Sequence, residues 1–263
     1  MGNMTRLLLL LLAGLTVSSA ENLEKRIVGG ATCGNNERQY HVKIVDKHDN
    51  FICGGSLISE NWVLTAAHCW KKGIKAVLGL HPDPNQAQTV KNKSHKIFKV
   101  PVFLIFKKKH DIMLLKLENA ISTIPPVPLP DCNNRPAVGA MVQVAGYAST
   151  QMGPNNERLN DVSPTLQCVD LEIRDETNTK TCMLASGSRR VRNKAKENWA
   201  LYRTAGRDTS PGDSGGGVVF NGMLYGVHVF SFNGDYACVA PAGFMQVCEY
   251  RAWIEETANV VFP

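Results

Sequence analysis

Long apolar runs are scarce in this 263-residue chain. The leucine-rich run Leu7–Leu12, within "MGNMTRLLLLLLAGLTVSSA", is short for a membrane span, which needs about 20 apolar residues, and no stop-transfer segment follows it. One basic residue ahead of that run and Ser18-Ser19-Ala20 behind it make residues 1–20 a secretory signal peptide. The expected destination is the cell exterior or a secretory granule, with no membrane anchor. The chain also lacks low-complexity segments and repeats of solenoid period, so neither a disordered chain nor a repeat array is expected. It has no C-x-x-C pair, which removes the usual structural zinc site. No nucleic-acid-binding motif accompanies its net charge of +6. Convincing helices are scarce too: "VCEYRAWIEETANV" at the C-terminus places Val247, Tyr250, Trp253 and Ile254 on one face.

What remains is β-like. Short apolar runs recur between Gly, Pro and Asn: Val42–Val45, Ser56–Ile58, Trp62–Ala66, Ile112–Leu117, Met141–Val144, Gly217–Phe220 and Leu224–Phe232. Such spacing reads as an all-β sandwich or barrel. An apolar fraction of 44% is enough for a substantial core. Eight cysteines on an oxidising export route are disulfide candidates. Asn92-Lys93-Ser94 is an N-glycosylation sequon. Lys25-Arg26, directly before "IVGG", reads either as a proteolytic cut site or as an exposed basic pair with no role.

The stretch "GRDTSPGDSGGG", residues 206–217, carries the chemistry. Glycines beside Asp and Ser also serve ordinary turns. A serine becomes a nucleophile when a histidine takes its proton and a carboxylate orients that histidine. Ser214 is the candidate nucleophile. His68, in "WVLTAAHCW", and Asp111, in "KKKHDIMLLKL", are the candidate base and orienting acid. G-D-S-G-G also satisfies the G-x-S-x-G elbow of α/β-hydrolases, which requires a helix after the serine and the order Ser, acid, His. Here strand-like "GVVF" follows, and His228 is the sole histidine after Ser214, preceding the later Asp235. The order His68, Asp111, Ser214 is that of the two-barrel serine proteases.

On these residues the chain resembles a trypsin-like, chymotrypsin-fold serine protease of the vertebrate trypsin and granzyme type. The likeness is carried by "IVGG" (27–30), "CGGSLISENWVLTAAHC" (53–69), "HDIMLLKL" (110–117), "GDSGGG" (212–217) and "VCEYRAWI" (247–254). It implies two antiparallel six-stranded β-barrels meeting near residues 130–140, a cleft between them and a C-terminal α-helix. It implies a propeptide at 21–26 and a peptidase domain at 27–263. Ser214 would attack, His68 would act as base then acid, and Asp111 would hold the ring; the Gly212 and Ser214 amides would form an oxyanion hole. Cleavage after Arg26 by an activating protease would free Ile27 to pair with Asp213. Asp208 would close the primary pocket and select Arg or Lys, with Ser231 and Ala242 on the pocket wall. The resemblance pairs Cys53 with Cys69, Cys33 with Cys168 and Cys132 with Cys248.

The chain departs from the family pattern in several places. Ser210 replaces a pocket cysteine and leaves Cys238 without its usual partner; Cys182 and Cys238 either pair together or stay free. Val142 and Phe220 take the positions of a further bridge. The pocket-wall tryptophan is Phe230 or Phe232, and the serine beside the catalytic acid is Val229 or Ser231. Leu80 stands where a calcium ligand would be, so no metal and no cofactor are expected. Partners implied are protein or peptide substrates, an activating protease, protein inhibitors and, through "FKKKHD" and "SRRVRNKAK", a heparin-like polyanion. The main expectation is an active secreted endopeptidase, made as a zymogen and cutting after Arg or Lys. The alternative is a catalytically silent relative that binds through those basic loops.

Overall fold

The computed structural model describes residues 27–103, 106–159, 161–185, 197–233 and 235–263. The expected signal peptide, the propeptide with Arg26, and the basic stretch 188–196 lie outside the described residues. A two-residue strand β1 (Ala31–Thr32) is followed by β2 (His41–Val45), β3 (Phe51–Ser59), β4 (Trp62–Thr65), β5 (Lys75–Leu78), β6 (Gln88–Phe103) and β7 (Phe106–Leu117). Strands β2 to β7 close into an antiparallel barrel in the order β2-β3-β4-β7-β6-β5. The chain continues through β8 (Met141–Gly146), β9 (Gln167–Arg174), helix α1 (Thr177–Ala185), β10 (Trp199–Tyr202), β11 (Gly217–Phe220), β12 (Met223–Ser231) and β13 (Ala242–Gln246). These strands run β9-β10-β13-β12-β11-β8, and pairing of β8 with β9 closes a second six-stranded barrel, with β1 added beside β9. Closure matters physically because it leaves no long unpaired edge.

Val42, Ile44, Leu57, Leu64, Ile112 and Leu114 fill the first barrel without measurable exposure. Continuous rather than alternating burial along Ile112–Leu115 shows that β7 is covered on both faces. Part of the outer cover is the C-terminal segment: Tyr250 and Trp253 stand edge-on to Phe98 of β6 at 4.9 and 5.5 Å, and Tyr250 hydrogen-bonds His110 of β7 at 2.9 Å. In the second barrel Ile27 packs with Val142, Val144, Leu171, Tyr202 and Phe244. Val142 and Phe220 belong to this same cluster, so apolar packing stands where the family bridge is missing. The three expected disulfides, Cys33–Cys168, Cys53–Cys69 and Cys132–Cys248, are all formed.

Two helical features differ from expectation. The terminal helix begins as a 3-10 turn over Val247–Tyr250 and becomes α-helix α2 only over Arg251–Ala258. Asn259, at φ 53°, ends it in the left-handed cap conformation that asparagine tolerates. The apolar face was read correctly: Val247, Tyr250 and Ile254 are buried. Helix α1 was not anticipated, because "TNTKTCMLA" carries no apolar period. It is started instead by Asp175, whose carboxylate accepts from the Thr177 amide at 2.9 Å and its hydroxyl at 2.7 Å.

Candidate active site

Strand pairing brings the first two site residues together. β4 and β7 are antiparallel with Thr65 opposite Met113. His68 lies three residues beyond Thr65, on a 3-10 turn pinned by the Cys53–Cys69 bridge; Asp111 lies two residues before Met113. Asp111 Oδ1 accepts from the His68 amide at 3.0 Å, and Oδ2 lies 2.9 Å from ring Nδ1. The carboxylate thus fixes both the backbone and the ring of the histidine. With Nδ1–H held by the carboxylate, Nε2 is left with its lone pair outward, the arrangement a general base requires. The backbone of Asp111 is held in turn: its amide donates to Glu197 Oε2 at 3.1 Å.

Ser214 comes from the second barrel and crosses to the first, where its carbonyl accepts from the Gly54 amide at 2.8 Å. Its turn is set by the Asp213 amide on the Ser210 carbonyl (3.0 Å), Gly216 on Asp213 (2.9 Å) and Gly215 on His228 (2.7 Å). Gly215 is required here: at φ 85°, a Cβ would fall 2.1 Å from Thr65 Oγ1 and 2.3 Å from the Gly54 carbonyl. Among the described residues, the amides of Gly212 and Ser214 meet no acceptor. Nor does a hydrogen bond join Ser214 Oγ to His68; in free enzymes such bonds often form only around substrate.

Asp213, beside the serine, is completely buried. Its Oδ1 accepts from the Ala148 amide at 3.1 Å and its Oδ2 from the Ser210 amide at 2.7 Å. Desolvation nevertheless pushes the carboxyl up to about 7. It lies against Gly146 of β8, where a Cβ would meet Oδ1 at 2.0 Å. The same strand packs on Ile27 through Val142 and Val144. Next to Ile27, the Val28 carbonyl accepts from the Asp208 amide at 3.0 Å, so the segment 27–29 is tied to the pocket loop.

Asp208 is buried, as a pocket base should be, but its carboxylate is occupied. The amides of Thr209 and Cys238 donate to it at 2.8 Å each. The Arg158 guanidinium donates to Oδ2 at 2.6 Å, and the side chains of that ion pair are only 2% and 4% exposed. Sequence reasoning missed Arg158, which lies 50 residues from its partner in a loop without a recognisable pattern. It also missed Glu197, and Phe51, whose ring would be 2.8 Å from a Cβ at Gly212.

The two open alignments now have positions. Ser231 hydrogen-bonds Thr209 Oγ1 at 3.2 Å, next to Asp208 in the chain, while Val229 is buried in the core with Trp199 and Tyr250. Both Phe230 and Phe232 stand edge-on to Trp199, at 5.6 and 6.5 Å. Ala242, opposite both Ser231 and Tyr202, is buried among Tyr202 and Phe244. Ser210 is buried with its hydroxyl unpartnered. Among the described residues Cys238, at φ 61°, has no disulfide partner, and burial pushes its thiol up; the side chain of Cys182 lies outside the described residues. Leu80 packs against the cluster around the Cys33–Cys168 bridge. Asn92 of the sequon lies half-buried on β6, opposite Leu117. In the "FKKKHD" stretch Lys109 and Lys107 face Lys99 and Pro101 across the β6–β7 ladder.

A double β-barrel with a histidine–carboxylate pair on one barrel and a glycine-flanked serine turn on the other defines a class of serine hydrolases. The comparisons make that specific: residues 27–254 match the Trypsin family model, and the chain belongs to that family of serine proteases. It is 32% identical over 270 residues to serine protease 1 of Rattus norvegicus, covering 97% of this chain and 98% of the other. It is 33% identical over 256 residues to a trypsin of Xenopus laevis (94% and 97% covered) and 31% identical over 249 residues to the snake venom serine protease gussurobin of Gloydius ussuriensis (92% and 91%). The solved structure of neuropsin, a serine protease expressed in the limbic system of mouse brain, superposes with a TM-score of 0.70 at 27% identity, covering 87% of this chain and 98% of that one. Among the described residues no helix is long and apolar enough to cross a membrane.

Proposed function

We propose that the protein is a secreted serine endopeptidase, made as a zymogen, that cleaves protein or peptide chains after Arg or Lys. The observation that carries this reading is the His68–Asp111 pair, facing a serine turn whose Gly212 and Ser214 amides have no acceptor. Ser214 Oγ attacks the scissile carbonyl while His68 Nε2 takes its proton. The carbonyl oxygen, now negative, is held by the two amides. Collapse breaks the C–N bond, and His68 returns the proton to the departing amine. Water then repeats the cycle on the acyl-serine, releasing the acid and the free serine.

Activation follows from Asp213. A carboxyl buried beside two amide donors stays pushed up to about 7, even with the Arg158 charge acting to lower it, so a closer cation would stabilise its ionised form. Cutting Arg26–Ile27 would supply one, the Ile27 ammonium, on a residue whose side chain is already packed beside β8. Such a pair acts as a switch, since removing either partner of a buried pair is severe. Selection of Arg or Lys rests on the buried Asp208 carboxylate.

The test uses secreted protein cut at Arg26–Ile27, a Ser214→Ala control, and matched peptides presenting Arg, Lys, Phe or Leu before the scissile bond. Cleavage after Arg or Lys that vanishes in the control supports the reading. Preference for Phe or Leu keeps the protease and removes Asp208 as selector. No cleavage, with a verified Ile27 terminus, favours the non-catalytic polyanion-binding alternative.

A further inference from the structure

The proposed substrate cation has a rival inside the molecule. Arg158 projects from a loop whose neighbours Asn155, Asn156 and Leu159 are exposed, yet its guanidinium is buried on Asp208. Each nitrogen of the fork has an acceptor: Nη2 on Asp208 Oδ2, Nη1 on the Thr209 carbonyl, and Nε on the Asn233 carbonyl at 3.2 Å. All three acceptors belong to the segments that carry Asp208 and follow Ser231. A substrate guanidinium reaching Asp208 would need the same set.

The loop is stitched over this position. Arg158 donates its amide to the Asp235 carbonyl at 2.8 Å, and Ala237 donates to the Asn156 carbonyl at 2.9 Å. These bonds lie between loop segments rather than within either barrel, with Ala237 itself buried. Around them the apolar side chains Leu159, Phe232, Tyr236 and Val239 stand 39–46% exposed. The charge of this deeply buried side chain meets its counter-charge in the Asp208 carboxylate, with the Thr209 and Asn233 carbonyls taking its other nitrogens.

We infer that Arg158 is a tethered occupant of the primary pocket, competing directly with the cationic side chain of a substrate and thereby setting the protein's specificity. This rests on Asp208 being the selecting carboxylate, as proposed above. It also gives the buried Asp208 carboxylate a cationic partner before any substrate arrives, as a buried carboxylate needs a cation or donors. The two backbone donors from Thr209 and Cys238 remain when Arg158 is removed, so the pocket keeps partial satisfaction.

The experiment measures benzamidine, an aryl amidine of guanidinium-like shape, by calorimetry on protein cut at Arg26–Ile27. In parallel, a fluorophosphonate reports whether Ser214 is reactive. Arg158→Ala is expected to bind benzamidine about a hundredfold more tightly than wild type, and Arg158→Ala/Asp208→Ala to lose the gain. Wild-type affinity equal to that of Arg158→Ala overturns the inference, as does failure of Arg158→Ala to gain any affinity. Should Arg158→Ala not fold, the wild-type protein decides alone: micromolar benzamidine binding overturns the inference, and binding no tighter than millimolar upholds it. Loss of fluorophosphonate labelling would count against the acyl-transfer reading and leave the calorimetric result standing.

Discussion

Two side-chain contacts to a carboxylate lie within this one site, and they are built in opposite ways. His68–Asp111 is set by paired strands of the first barrel, and its side chains are 44% and 15% exposed. Arg158–Asp208 joins loops of the second barrel, with 2% and 4% exposure. The first leaves part of the ring open at the surface. The second is shielded, and its strength depends on both partners staying in place. On the proposed reading, the strand-anchored pair serves the chemistry and the loop-anchored pair serves the choice of substrate.

The largest effect expected from breaking this contrast lies on the exposed pair. In protein cut at Arg26–Ile27, His68→Ala should lower kcat by about 10⁶-fold in peptide hydrolysis, with the benzamidine affinity of Arg158→Ala unchanged by adding it. A parallel loss of affinity would show that the two halves are not independent. Next in size, Asp213→Asn should reduce kcat/KM of the cut protein by about 10²–10³-fold, as expected for an ammonium left buried without its partner.

The same residue gives a pH signature in the uncut chain. Asp213 is raised from 3.8 to about 7, so the folded state keeps a proton that the unfolded state has already lost. The associated stability is complete below about pH 4 and disappears as pH rises to about 7 and beyond. Thermal midpoints of the uncut protein should therefore fall across that window, and Asp213→Asn should flatten the fall. A smaller effect is expected at Glu197: replacing it by Ala removes the carboxylate that accepts from the Asp111 amide and should cost about tenfold in kcat, with KM little changed. The smallest lies outside both halves. Lys99 and Lys109 are directly opposed on the β6–β7 ladder, and Lys109→Glu should raise stability by about 0.2–1 kcal/mol in urea unfolding, leaving activity unaltered.

The candidates for the catalytic half were proposed from the sequence because their signals are local. His68 sits beside Cys69, Asp111 precedes the apolar run within β7, and Ser214 is framed by glycines whose necessity the close approach at Gly215 explains. The disulfides were legible only through family resemblance. Arg158 was not legible at all: nothing in "NNERLN" sets one arginine apart, and its meaning arises from tertiary contact with Asp208. The same holds for Glu197, whose role depends on meeting the Asp111 amide. Ser231 and Val229 could not be separated until Thr209 was seen beside the former.

The two backbone bonds that stitch Asn156 and Arg158 to Ala237 and Asp235 have a consequence for how the protein would count its substrates. A site available only in a minor fraction of molecules has its apparent affinity reduced by that fraction, so a pocket open about 1% of the time weakens a cationic side chain about a hundredfold. A substrate that makes no demand on Asp208 escapes the reduction. Preference between basic and neutral residues then reports a loop equilibrium, and it should drift towards Arg and Lys under mild warming or dilute urea, conditions that open surface loops well before either barrel yields.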